Sequence, residues 1–250
     1  MPADGDCALF LDFDGTLVEI AERPEAVIVE PGLSDTLAAL RDRLDGALAL
    51  VSGRSIVTLD GFLKPHRFDA AGLHGVEYRL VGRLSPCRPE EHPKLRAAIA
   101  SLPERLARHP GVLIEDKGCS VVLHWRLAPE HEDEVMGLAT ELAQALGSEY
   151  RLQHGKAVAE ILPARASKGG IIEFFLGEQP FAGRIPVFVG DDLTDELDFA
   201  VLNRRNGVSV RVGNGPTIAQ RRIETPAALR RCLSEWARRG RVDVEALSPA

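Results

Sequence analysis

The chain's 250 residues predict an α/β fold, a Rossmann-like doubly wound parallel sheet with a smaller α+β domain inserted into it. Three observations carry that expectation. Short apolar runs alternate with helical patterns in the first third of the chain and again in the last third. Between them the rhythm changes to one helix followed by two strands, and this unit occurs twice. Pro, Gly and Ser gather at both changes of pattern, near Gly82 to Pro89 and near Pro163 to Ser167. The expected division is 1–82 and 164–250 for the core and 83–163 for the insertion, which suits a lid.

The first strand is expected over 7–12, where Cys7-Ala8-Leu9-Phe10-Leu11 is apolar throughout, as befits a strand covered on both faces. A helix over 33–44, a strand at 47–51, a helix near 55–62 and a strand at 68–72 follow. The insertion reads as helix 94–108, strands 112–116 and 120–125, helix 131–146, and strands 149–153 and 157–161. Lys117-Gly118 and His154-Gly155-Lys156 are its candidate hairpin turns. The core resumes with helix 167–177, strand 187–189, helix 193–203, strand 208–212 and a final helix at 226–239. Val242 to Ala250 ends in Ser248-Pro249-Ala250 and is expected to fray.

Composition narrows the function classes. The chain carries 30 Lys and Arg against 37 Asp and Glu, a net charge of −7, and has no basic tract, so nucleic acid is not an expected partner. Met1-Pro2-Ala3-Asp4-Gly5-Asp6 lacks a cationic leader, and no apolar run approaches the roughly 20 residues of a membrane helix. A soluble, cytoplasmic monomer with no membrane partner is the expectation. Cys7, Cys87, Cys119 and Cys232 stand far apart with no C-x-x-C pair, which predicts reduced cysteines and neither a disulfide nor a zinc site.

In a doubly wound sheet, ligands bind beyond the carboxyl ends of the strands, so residues that follow each strand should converge. Four segments qualify: Asp12-Phe13-Asp14-Gly15-Thr16, Ser52-Gly53-Arg54, Lys168-Gly169, and Gly190-Asp191-Asp192-Leu193-Thr194-Asp195. Together they offer a carboxylate nucleophile, hydroxyl and backbone donors, a cation and a further acid for a hard metal ion. That inventory fits phosphoryl transfer. A carboxylate about 4 Å from a phosphate dianion meets roughly 8 kcal/mol of repulsion at an effective dielectric near 20, which a metal ion and Lys168 would offset. A calcium loop fits Asp12-Phe13-Asp14-Gly15 poorly, because a third oxygen ligand and a closing Glu are missing. Each segment alone also has a plain structural reading: Ser52-Gly53 as a turn, Lys168 as a solvated helix-start lysine, Asp191-Asp192 as helix-dipole charge.

The ordered set of four motifs resembles the haloacid dehalogenase (HAD) superfamily of phosphatases. The resemblance implies a HAD-like core with a cap. Asp12 becomes the nucleophile, Asp14 the general acid/base, Ser52, Gly53 and Lys168 the phosphate ligands, and Asp12, Asp14 and Asp191 the ligands of Mg²⁺. A closer resemblance, over about residues 8 to 200, is to trehalose-6-phosphate phosphatases. It rests on Gly72-Leu73-His74-Gly75-Val76-Glu77, Glu115-Asp116-Lys117-x-x-Ser120, His124-Trp125-Arg126 and Glu160-Ile161-x-Pro163. It implies that Glu115, Lys117 and Glu160, with Arg126 beside them, hold a sugar's hydroxyls.

One departure is visible: the chain reads Glu160-Ile161-Leu162-Pro163 where the family usually has Glu-Ile-Arg-Pro. His74 reads as a turn histidine, and Trp125 and Trp236 as packing residues. The implied partner is a small-molecule sugar phosphate. The alternatives are another ester, such as sucrose or mannosylglycerate phosphate, and a non-catalytic sugar-phosphate-binding partner.

Overall fold

The structure is a computed structural model that describes residues 7–21 and 23–250, apart from the side chains of 193 and 194. It divides into two compact units: one comprises the chain up to Leu84 and from Ser167 onward, the other Ser85–Ala166. In chain order the elements are β1 (Cys7–Leu11), α1 (Leu33–Arg43), β2 (Leu48–Val51), α2 (Ile56–Phe62), β3 (Asp69–Gly72), β4 (Glu77–Leu80) and β5 (Arg83–Ser85). Next come α3 (Pro93–Arg105), β6 (Leu113–Asp116), β7 (Val121–His124), α4 (Glu132–Leu146), β8 (Tyr150–Gly155) and β9 (Val158–Pro163). The chain finishes with α5 (Lys168–Phe175), β10 (Ile185–Gly190), α6 (Leu193–Arg204), β11 (Val208–Val212), β12 (Arg221–Ile223), α7 (Pro226–Arg239) and β13 (Ser248–Pro249).

The first unit is built on a sheet in the order β13-β12-β11-β10-β1-β2-β3-β4-β5, parallel from β12 through β3. β1 sits at its centre, paired with β2 on one side and β10 on the other (Leu9 opposite Leu48 and Val187). The chain leaves β1 toward β2 and returns through β10. The topology therefore switches direction at β1, which opens a crevice beyond its carboxyl end.

Burial explains why β1 and β2 are apolar without alternation: Ala8 through Leu11 and Leu48 through Val51 are all buried. Leu37 and Leu40 of α1, Leu229, Leu233 and Trp236 of α7, Ile172 and Phe175 of α5, and Phe199 and Leu202 of α6 complete this core. Each such Leu or Phe contributes about 1.5–3 kcal/mol of burial. Helix starts are fixed by side-chain caps, Ser55 for α2, Ser167 for α5 and Thr225 ahead of Pro226 for α7. The Ser167 cap sets Lys168 as the first residue of α5.

Three local expectations change. β4, β5 and β12 extend the sheet where no strand was predicted: the β3 edge pairs antiparallel with 77–79, and β11 pairs parallel with 221–223. α3 ends at Arg105 rather than 108, two residues after Pro103, whose ring removes a helical N–H. The C-terminal segment does not fray: Ser248 and Pro249 pair antiparallel with Arg222 and Arg221, and Leu247 packs against the core.

The second unit is a four-stranded antiparallel sheet in the order β6-β7-β9-β8. Leu95, Ile99 and Leu102 of α3 and Val135, Ala139, Leu142 and Leu146 of α4 recur at helical spacing and pack on Leu123, Trp125, Ala159 and Ile161. Alternation along the strands sends Glu115, Val122, Glu160 and Gln153, which lie opposite one another in a row, to the other face. Trp125 and Trp236 are both buried, as packing residues should be. Among the described residues no helix is long and apolar enough to cross a membrane.

The cysteine expectation is overturned for one pair. Cys87 and Cys119 form a disulfide within the second unit, with Cα atoms 6.1 Å apart, while Cys7 and Cys232 take part in no disulfide. Sequence spacing hid the pair, since 32 positions separate two residues that the entry to α3 and the β6–β7 turn bring together.

Candidate active site

The carboxyl ends of β10, β1 and β2 are adjacent, and each delivers one predicted segment to the crevice. Asp12 directly follows β1 and is buried. Lys168, also buried, donates its Nζ to Asp12 Oδ1 at 2.8 Å and to Asp195 Oδ1 at 2.7 Å. The Thr16 hydroxyl lies 3.2 Å from Asp12 Oδ2 and 3.4 Å from Asp191 Oδ1, tying the turn after β1 to the residue after β10. Gly15 (φ 75°) makes that approach possible, because a Cβ there would overlap the Asp191 carboxylate.

Ser52 directly follows β2; it is buried and its Oγ accepts the Arg54 backbone N–H at 3.1 Å. Gly53 lies against His74, whose ring nitrogen would be 2.7 Å from an added Cβ. His74, at φ 57°, donates its own N–H to the Ser52 carbonyl, as expected of a turn histidine. Glu77, buried, accepts the Ile56 N–H at 2.7 Å and so holds the start of α2.

Asp14 stands differently from the expectation of an acid turned toward a leaving group. Arg54 grips its carboxylate through both oxygens, at 2.6 and 2.7 Å, while also donating to the Pro24 carbonyl and lying over the Phe13 and Phe62 rings. A two-pronged guanidinium grip fixes the orientation of the carboxylate. Sequence reasoning gave Arg54 no role; its place two residues after Ser52 was the only signal.

Asp195 is the second residue it missed. Fully buried, it accepts Lys168 through Oδ1 and the backbone N–H groups of Asp191 and Asp192 through Oδ2, at 3.1 and 3.0 Å. It thereby fixes the loop that carries Asp191. The spacing Asp191-x-x-x-Asp195 was visible, but it read as helix-start charge.

Ligand oxygens of Asp12, Asp191 and Asp195 lie within 4.8 Å of one another. Three carboxylates share one ammonium there. Burial first, then repulsion from Asp195 and Asp191, pushes the Asp12 carboxyl well above its usual range despite the opposing Lys168 charge. Burial and Asp195 push Asp191 up to about 7. Burial disfavours the charge on Lys168, but Asp12 and Asp195 outweigh it and hold the ammonium protonated. Such a site takes up either protons or a cation, and a donor set made of oxygen alone suits a hard dication.

The second unit gathers the remaining candidates, save one. Glu160 is buried and accepts Ser120 Oγ at 2.8 Å, with Lys117 Nζ at 3.5 Å. Glu115 pairs with His124 at 2.9 Å. Burial raises the Glu115 carboxyl, but His124 and Lys117 together hold it below its ordinary value. Leu162 shares the Glu160 face and is buried, an apolar position where the family pattern has a cation. Arg126 lies apart from this group: it donates to the Lys156 carbonyl at the β8–β9 hairpin, beyond the far end of β7.

The family model for trehalose-phosphatase matches residues 10–230, nearly the whole described chain. The trehalose-6-phosphate phosphatase of Escherichia coli is 45% identical over 86% of this chain and 81% of its own. A crystal structure of a trehalose-6-phosphate phosphatase related protein superposes with a TM-score of 0.81 at 26% identity, covering 93% of this chain and 97% of that one. A Bacteroides thetaiotaomicron phosphatase of the haloalkanoate (HAD) superfamily shares the fold at a TM-score of 0.57 and 17% identity, over 91% of this chain and 94% of that one. With its carboxylate–lysine cluster at the switch point of a HAD-type sheet, the chain belongs to the trehalose-phosphatase family.

Proposed function

We propose that the chain is a Mg²⁺-dependent phosphatase that hydrolyses trehalose 6-phosphate to trehalose and phosphate through an aspartyl-phosphate on Asp12. The observation that carries this reading is Lys168 Nζ, 2.8 Å from Asp12 Oδ1, at the end of the central strand. An amine there neutralises the nucleophile's surroundings and is placed to hold phosphate oxygens.

Asp12 attacks phosphorus, a P–O bond forms to its carboxylate, and the bond to the sugar O6 breaks. The departing oxygen takes a proton from Asp14, which has to leave Arg54 in order to give it. In the second half Asp14 accepts a proton from the water that attacks the phosphoenzyme, releasing phosphate and restoring Asp12. Ser52 Oγ and the Gly53 N–H are the proposed donors to the phosphate oxygens.

Asp12 and Asp191, with the Asp14 backbone carbonyl, are the proposed ligands of Mg²⁺. Asp195 is a positioning residue, since its two oxygens already accept Lys168 and two backbone amides. When bound, the metal offsets the like charge of nucleophile and phosphate.

We assign 1–82 and 164–250 to the catalytic core and 83–163 to a cap that recognises the sugar through Glu115, Lys117 and Glu160. Arg126 is left out, because its contact lies at the opposite end of β7 from Lys117. The test is phosphate release from trehalose 6-phosphate, sucrose phosphate and mannosylglycerate phosphate, each with and without chelator. Chelator-sensitive release that is fastest from trehalose 6-phosphate is expected. Preference for another ester overturns the substrate, and absence of release from all three favours a binding role.

A further inference from the structure

The second unit contains a second group of metal-ligating side chains, remote within that unit from Glu115, Lys117 and Glu160. His109 lies in the turn after α3, His131 immediately precedes α4, and Glu134 is in the first turn of α4. His109 Nε2 lies 3.3 Å from Glu134 Oε2, and His131 Nδ1 lies 3.1 Å from the same oxygen. One ligand atom from each of the three falls within 4.8 Å of the others. Lys117 precedes β7 and the segment leading to His131 follows it, so the two groups occupy opposite ends of that strand.

The spacing is informative. Bonds of 2.0–2.2 Å from Zn²⁺ to imidazole nitrogen and carboxylate oxygen put neighbouring tetrahedral ligands roughly 3.3 Å apart. Both nitrogen–oxygen separations come close to that edge, and both exceed the 2.7–2.9 Å usual for a charge-assisted hydrogen bond. The two imidazole rings stand nearly perpendicular, 84° between planes with centroids 4.9 Å apart, and each brings one nitrogen to the same Glu134 oxygen.

Backbone packing holds the arrangement. Gly111 adopts φ 92°, and a Cβ there would lie 3.0 Å from the Ala128 Cβ, so glycine lets the His109 loop close against the segment that leads into His131. The His131 N–H bonds to the Ala128 carbonyl and the His109 N–H to the Leu106 carbonyl. Both histidine side chains are 21% exposed and Glu134 is 61% exposed, which gives an ion a route in and leaves a position for water.

We propose that His109, His131 and Glu134 form a site for Zn²⁺ or a dication of the same class, with water as fourth ligand. The ion pins the α3–β6 loop to the start of α4. Two imidazoles and one carboxylate are a borderline donor set, unlike the all-oxygen site of Asp12 and Asp191, so the two sites sort metals by chemistry.

The experiment is Zn²⁺ titration of the full chain in excess Mg²⁺, read by calorimetry and by the visible spectrum after Co²⁺ substitution. It compares the wild type with His131→Ala and Glu134→Gln. Glu134 is exposed, so its variant folds; circular dichroism checks both. One equivalent of Zn²⁺ that weakens at least tenfold in each variant, together with loss of the intense tetrahedral Co²⁺ bands, is expected. Equal stoichiometry and affinity in wild type and both variants, with unchanged spectra, reduces the group to a hydrogen-bonded cluster and overturns the proposal.

Discussion

Glu160→Gln separates the proposed chemistry from the proposed recognition. The glutamate is buried on β9, accepting Ser120 at 2.8 Å with Lys117 at 3.5 Å, and it faces away from the helix-packed side of its sheet. Glutamine keeps the shape and can still accept from Ser120, so the fold persists while the negative charge disappears. A hydrogen bond between a sugar hydroxyl and a charged acceptor is worth about 1.5–3 kcal/mol. At 1.36 kcal/mol per tenfold, kcat/KM for trehalose 6-phosphate falls about 10- to 150-fold. A small aryl phosphate has no sugar to lose and should keep its kcat/KM within about threefold, since the carboxylate–lysine cluster is untouched. Lys117→Ala should act in the same direction, and the double variant should lose less than the product of the two, because the residues touch. The assay is steady-state phosphate release from both esters. Equal losses on the two would mean that Glu160 and Lys117 serve the fold or the chemistry, and the specificity assignment would fall.

Three further outcomes follow from the geometry. Asp12→Asn abolishes release of phosphate from either ester while circular dichroism stays native; substantial residual turnover removes Asp12 as nucleophile. Without metal, Asp191 has a folded-state pKa near 7 against an unfolded value of 3.8, so its contribution to stability is complete below about pH 4 and lost as pH rises through 7. Mg²⁺ has to displace that proton, so its apparent affinity should climb steeply from pH 6 to 7 and level off above, and a pH-independent affinity by calorimetry would contradict the shared-proton picture. Cys87→Ser or reduction should destabilise the oxidised protein by up to about 4 kcal/mol, from loop closure over 32 positions. Alkylation before reduction should label Cys7 and Cys232 only, and labelling of all four in purified, air-oxidised protein would rule the bond out.

How much of this was legible depended on whether a signal was local. β1 announced itself because both its faces are covered, so four successive residues are apolar and buried. The helix pair of the second unit was equally readable, since Leu95, Ile99 and Leu102 recur at helical spacing over one cluster. β4, β5, β12 and β13 were not, because a short strand near the margin of a sheet is created by its neighbours and has little pattern of its own. The disulfide fails the same way: nothing near Cys87 points to Cys119.

The candidate site divides along the same line. Residues proposed for the chemistry stood out by type and position after strands, whereas those that hold them in place did not. Asp195 and Arg54 illustrate why. Asp195 accepts from Lys168 and from two amides of the Asp191 loop, while Arg54, after the neighbouring strand β2, binds Asp14. Each acts through a partner distant in sequence or through the backbone, so its role exists only after folding. The glycines follow the same logic: Gly15 and Gly190 leave space that the Asp191 and Asp195 carboxylates occupy, so a methyl at either position would overlap the acid it serves. The aspartate-rich motifs are thus packing statements as much as chemical ones. Their spacing is set by how closely two strand ends can approach while two buried carboxylates and a half-buried third gather around one lysine.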